Sequence, residues 1–269
     1  MAKTKKRTQT QRDALVLLAI PVVASVLSLL LQVNFLVATI LFFGLPAIWL
    51  SIKCASSVKK ALIFSLLLAI PVSILVDYIG VTNGSWYVPE SIFANRLFGV
   101  VPYEDLLWGF LLVYNPVMFY ERFFCCDNKR KSSIGKLIVM SVLFALLLIS
   151  LALAVGFRPD LIIRDYAYFW MGVILLLAPV VIFISIYPKF IKPFLITGIY
   201  FFLIGVTFEL TGVELGHWIF PGTSTDFIGW VTIFNTTIPF EEFFFWFVVQ
   251  SSSALTYYLV FDNDTSELA

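Results

Sequence analysis

The sequence predicts an all-α, polytopic membrane helix bundle of about eight transmembrane helices, arranged as two pseudo-symmetric four-helix repeats. Three observations predict it. The 269 residues are 60% hydrophobic and only 13% charged, where a soluble domain carries about 25% charged residues. Apolar segments long enough to cross a bilayer recur along the whole chain. A patterned block at the end of the third segment returns, in order, at the end of the seventh.

The first span is expected over Ala14–Leu31, behind the basic lead MAKTKKRTQTQR. It is longer than a signal-peptide core and no small-residue cleavage site follows, so it reads as a retained span. Asn34–Ile52 and Lys60–Gly80 follow, then Tyr103–Phe124, which opens at VPYED. A polar, basic link, CDNKRKSSIGK, separates these four from Ile134–Gly156, Tyr166–Tyr187, Phe190–Gly212 and Phe240–Phe261. The division is therefore 1–128 for the first repeat and 129–269 for the second. The ends TKKRTQTQR and DNDTSELA are expected to be disordered.

Charge placement orients the spans. With both termini cytoplasmic, the inner segments hold 15 of the 18 Lys and Arg, and the outer loops only Arg96, Arg158 and Arg164. That is the asymmetry of the positive-inside rule. A net charge of +1 gives no reason to invoke nucleic acid. Cys54, Cys125 and Cys126 fall at cytoplasmic ends of spans, where reduced thiols are expected. Their spacing makes no zinc site, so no metal is expected.

The repeat is explicit. At a constant offset of 132 residues, Asp77, Gly80, Gly84, Trp86 and Pro89 meet Glu209, Gly212, Gly216, Trp218 and Pro221. After a five-residue slip, Val101-Pro102-Tyr103-Glu104-Asp105 meets Ile238-Pro239-Phe240-Glu241-Glu242. An even number of spans per half makes both halves point the same way, related by an axis along the membrane normal. Asp77, Glu104, Asp105, Glu209, Glu241 and Glu242 are then expected to converge at the outer side.

Capping accounts for one acid in the first turn of each helix, but less well for two. It does not account for Asp77 and Glu209 at the ends of the preceding spans. Six acids with few cations predict a carboxylic acid that keeps its proton in an apolar pocket and serves as a general acid. Trp86, Trp108, Trp218, Trp230, Trp246 and Tyr103 share these segments, and aromatic faces stabilise cations. Trp86 and Trp218 carry extra weight because both halves keep them. His217, the only histidine, is expected on the outer side, as a proton relay or bonded to a loop carbonyl.

These residues resemble the lycopene cyclase domain of bacterial, archaeal and fungal carotenoid pathways. The family pattern is an acid ending a span, then Gly-x-Trp, then Pro-x-Glu-Glu opening the next. Here it reads Asp77, Gly84-Ser85-Trp86, Pro102-Tyr103-Glu104-Asp105, and again Glu209, Gly216-His217-Trp218, Pro239-Phe240-Glu241-Glu242. The two departures are Asp105 in place of the second Glu, and a longer spacing from Trp218 to Pro239 than from Trp86 to Pro102. The resemblance implies redox-neutral cyclisation of a linear carotene end group to a β-type ring, or a γ or ε ring, without cofactor. Its substrate would be lycopene or a related carotene, in membrane lipid of a prokaryotic cell. Partners would be further copies of the chain or other carotenoid-pathway enzymes.

On that reading Glu104 and Glu241 are the expected acid–base pair. Asp105 and Glu242, about 100° round the helix, tune them or orient loops, and Asp77 and Glu209 complete the network. Trp86, Trp218, Trp108, Trp246 and His217 are the expected substrate-binding residues. A proton-coupled membrane transporter is the alternative, since intramembrane acids and pseudo-symmetry suit it. Against it, no mid-span Pro or Gly break is expected to repeat in both halves. Prenyl transfer needs an aspartate-rich helix such as DDxxD, which the chain lacks.

Overall fold

The computed structural model describes residues 2–125, 134–223 and 225–261. Among the described residues the chain forms eight long helices. The first three are α1 (Ala2–Leu31), α2 (Phe35–Lys53) and α3 (Ala55–Thr82). Next come α4 (Tyr103–Tyr120, continued by the π turn Glu121–Cys125), α5 (Ile134–Phe157) and α6 (Ala167–Ile186). The last two are α7 (Ile191–Glu214) and α8 (Glu242–Phe261). Seven of them, all but α4, are long and apolar enough to cross a membrane. The protein is an all-α membrane bundle.

Helix α4 fills the position of the fourth expected span, but it is more polar. It is also the most enclosed: every residue from Leu111 to Tyr120 is buried, and the helix packs chiefly against α3 and α2, with α8 next. A helix walled in by other helices needs no lipid-facing apolar surface, so it can carry Glu104, Asp105, Glu121 and Arg122. Helix α5 is the opposite case. Ile138, Val139, Val142, Leu143, Leu146 and Leu147 all stand exposed on it, as suits a surface solvated by lipid.

The N-terminal TKKRTQTQR, expected to be disordered, is instead the first part of α1. No Gly or Pro interrupts Ala2–Ile20, and Lys, Arg and Gln are good helix formers, so the span's helix runs on. The C-terminal DNDTSELA, Cys126 and most of the link lie outside the described residues. Cys54 and Cys125 are buried thiols.

A second correction concerns broken helices. In α2 the turn Ile40–Gly44 is π-helical, and in α6 so is Gly172–Leu177. Under the 132-residue offset Ile40 meets Gly172. Each π turn is followed by a proline in the first turn of the next helical piece, Pro46 and Pro179. The insertion of one residue in the second turn puts these prolines out of register in the sequence, and so hides a break that repeats.

The long helices α3 and α7 end at the same end of the bundle, where two connections lead to α4 and α8. There Tyr87 and Ile219 exchange both backbone hydrogen bonds, at 2.9 Å each, as an antiparallel bridge. These two residues are 132 apart. Pairing of equivalent residues is the geometry of a local twofold axis passing between them. The longer spacing between Trp218 and Pro239 is taken up by a hairpin, β1 (Trp230–Ile233) against β2 (Thr236–Pro239), with Trp230 opposite Pro239. The first half has only a tight turn closed by Leu97 and Val101.

Candidate functional site

Each of the two connections opens with the same local structure. At the end of α3, Gly84 adopts φ +71°, and at the end of α7, Gly216 adopts φ +70°. This left-handed conformation is costly for other residues. It lets Ser85 N–H donate back to Gly80 C=O and His217 N–H to Gly212 C=O, both at 2.8 Å. Such a glycine cap reverses the chain, and the residue two places on folds back against its own helix. That residue is Trp86 in one half and Trp218 in the other. Its ring lies against Gly80 or Gly212, where any Cβ would overlap it. The indole N–H then donates to the acid three residues before that glycine: Trp218 Nε1 to Glu209 Oε1 at 2.7 Å, and Trp86 to Asp77. The spacing of acid, Gly, Gly and Trp is thus one packing unit, built twice.

The two units face a shared cavity of about 50 Å³. Its wall includes four carboxyls, Asp77, Asp105, Glu209 and Glu242, and four indoles, Trp86, Trp108, Trp218 and Trp246. Phe35, Phe208, Val88 and Phe220 complete it. All four acids are buried, and none makes a salt bridge among the described residues. Asp105 lies within electrostatic reach of Asp77 and Glu104, and Glu209 within reach of Glu242. Arg96 acts on Asp105 from a distance, but its guanidinium donates to Val88 C=O at 2.6 Å and to Val100 C=O at 3.4 Å. Asp77 Oδ2, Asp105 Oδ2 and Trp108 Nε1 are buried with no hydrogen-bond partner among the described residues.

The opposite end of the bundle shows what a compensated cluster looks like. There Asp13 pairs with Arg122, at 3.0 and 2.6 Å from Nε and a terminal nitrogen, and Lys53 stands 3.8 Å away. Glu121 accepts from Ser57 and Tyr258, both at 2.6 Å. Those acids hold helices together. The four in the cavity have no such balance, which is unusual for buried charge.

The structure splits the paired acids differently from the expectation. Glu104 and Glu241, the expected acid–base pair, do not line the cavity. Glu104 accepts from Ile92 N–H at 2.5 Å and from Ser91 Oγ, and Glu241 accepts from Ile228 N–H at 2.6 Å. In both halves the first acid fastens the connection that leads into its own helix, and neither caps that helix with a side-chain hydrogen bond. Asp105 and Glu242, one step round the helix, point into the cavity.

His217 is buried but lies outside the acid cavity. Its Nε2 pairs with Val33 C=O at 2.8 Å, tying the connection between α1 and α2 to the second half. Of the two anticipated roles, this is the loop-carbonyl one. Nε2 must be the protonated nitrogen, so Nδ1 of the neutral ring is bare, and it has no partner among the described residues. Burial pushes the imidazole below its usual value. Trp230 and Tyr103 also stand outside the cavity.

One residue escaped the sequence pattern. Tyr168, on α6, is fully buried, its hydroxyl bonded to Glu242 Oε2 and receiving the Trp246 indole N–H. Its ring packs edge-on against Trp86 at 5.0 Å. The equivalent position in the first half is Leu36, so the repeat gave it no signal. No protein-family model, curated protein or solved structure matches this chain.

Proposed function

We propose that the chain is a lycopene cyclase, closing the end groups of a linear carotene by acid catalysis without change of oxidation state. The observation that carries this reading is the convergence of four buried carboxyls without a salt bridge among the described residues, two from each half, in a cavity walled by four indoles. Asp77 is the proton donor, because it alone of the four acids also borders an apolar groove between α3, α4, α6 and α8. Its proton adds to the terminal alkene and leaves a tertiary cation. The cation is attacked by an internal double bond, which forms the ring carbon–carbon bond and moves the charge into the ring. Asp105 or Glu242 then removes a ring proton and the double bond re-forms. One proton enters and one leaves, so substrate and product are isomers. The indole faces stabilise the cation without trapping it as water would.

A cavity that takes a benzene-sized ring is about 150 Å³, against about 50 Å³ here. Ring closure therefore requires the wall to part, and the contact of Trp108 with Trp246 at 5.7 Å is the natural place. The test is pigment extraction from a lycopene-accumulating host. Asp77→Asn should lower ring formation by at least about 100-fold, the scale of a lost general acid. Glu241→Gln should retain most of it. Full activity in Asp77→Asn would remove that residue from the mechanism.

The repeated π turns in α2 and α6 favour a second reading, a proton-coupled carrier, since broken helices suit alternating access. Proton flux in vesicles, with no pigment change in the lycopene host, would support it.

A further inference from the structure

Beside the acid cavity, and sharing Asp77, Trp108 and Trp246 with it, lies a narrow apolar groove of about 70 Å³. It runs between α3 and α4 of the first half and α6 and α8 of the second. Along α3 it extends from Leu68 to Asp77, which is about 14 Å at 1.5 Å per residue, or roughly half the ~30 Å thickness of a hydrocarbon core. Apart from Asp77 and Trp108, at the end shared with the acid cavity, most polar side chains on its wall are already engaged. Gln250 donates to Leu112 C=O at 2.8 Å, Ser253 and Tyr257 to Leu175 C=O at 3.2 and 3.1 Å, and Tyr168 to Glu242. Such a wall offers little to a polar ligand and fits a hydrocarbon chain without polar groups.

The pseudo-equivalent groove is closed. On α3 the wall is made by Leu68, Ala69, Val72 and Val76. At an offset of 132 their places on α7 are taken by Tyr200, Phe201, Ile204 and Phe208, all buried. Phe208 sits edge-on to Phe43 at 4.9 Å and to Phe42 at 5.2 Å, and Tyr200 stacks on Phe119 at 5.0 Å. Rings interlock where the first half leaves space.

We propose that a single extended polyene chain reaches the acid cavity, and that it does so only through the groove between α3, α4, α6 and α8. The molecule is a pseudo-dimer with one working entrance: Asp77 meets the chain, and Glu209 serves the cavity from the closed side. The identity of the chain rests on the cyclase reading; the one-sidedness does not.

The test is binding of lycopene to the purified full chain in lipid nanodiscs, followed by quenching of tryptophan emission. Ala69→Phe, which copies Phe201 into the open groove, should raise the apparent Kd at least about 10-fold, and Ala69→Val by less, as added volume fills the groove. Phe201→Ala should leave it within about twofold of the unmodified chain. Val72→Phe, checked by monodisperse elution, covers the case in which Ala69→Phe does not fold. Unchanged binding in the filled variants, equal loss in Phe201→Ala, or no saturable quenching would each overturn the proposal. Ring formation separates the two claims. Binding blocked by Ala69→Phe, with no ring from any variant, keeps the groove and sinks the cyclase. Undiminished cyclisation by Ala69→Phe keeps the cyclase and sinks the groove.

Discussion

Two neighbouring acids in one helical turn carry out different tasks here. Glu104 and Glu241 hold the connections that precede their helices by backbone N–H groups, while Asp105 and Glu242 border the cavity. The acid pairs were legible in the sequence; their phase was not. A step of 100° decides which acid faces inward, and that angle is set by how α4 and α8 pack against α3 and α7. His217 carries a prediction at this scale. Its ordinary value is 6.5 and burial lowers it, because a proton on Nδ1 would have no acceptor. The unfolded chain then binds the proton more readily, so the stability that His217 contributes is present above about 6.5 and lost as pH falls below it. The melting temperature in detergent should drop between about pH 7.5 and pH 5.5, and drop less in His217→Gln, which keeps a donor for Val33. Equal slopes in both would show that the imidazole is not the titrating group.

At the level of elements, the unit of acid, Gly, Gly and Trp explains letters that the repeat only counted. Gly80 and Gly212 are small because an indole rests on them, and Gly84 and Gly216 because the chain must turn back. Gly80→Ala and Gly212→Ala should each cost about 1–3 kcal/mol, the range for overpacking, and should also release the Trp from its acid. Gly135→Ala and Gly156→Ala, where a Cβ meets nothing within 4 Å, should leave the melting temperature unchanged or raise it. Two features of the elements could not be read in advance. The repeated π turns carry no composition of their own and are displaced by one inserted residue. Helix α4, expected simply as a span, is the enclosed centre of the bundle, which a list of apolar segments does not reveal.

Across the whole molecule, near-symmetry in sequence yields a structural asymmetry. Both halves build the same acid–indole unit, and the Tyr87–Ile219 bridge joins them on the axis. Yet Tyr168 serves only Glu242, and the aromatic side chains of α7 fill what α3 leaves open. The membrane bundle and the acid cavity's main motifs were legible because apolar length and repeated letters are local signals. Tyr168 and the open groove were not, because they arise from residues in which the halves differ. The central claim, proton-driven closure in the cavity, is tested most directly by supplying lycopene to the purified chain in D2O without any added cofactor, and weighing the product. The account predicts a cyclic isomer carrying one solvent deuterium per ring, and none formed by Asp77→Asn. A ring formed without deuterium, or formed equally well by that variant, would contradict it.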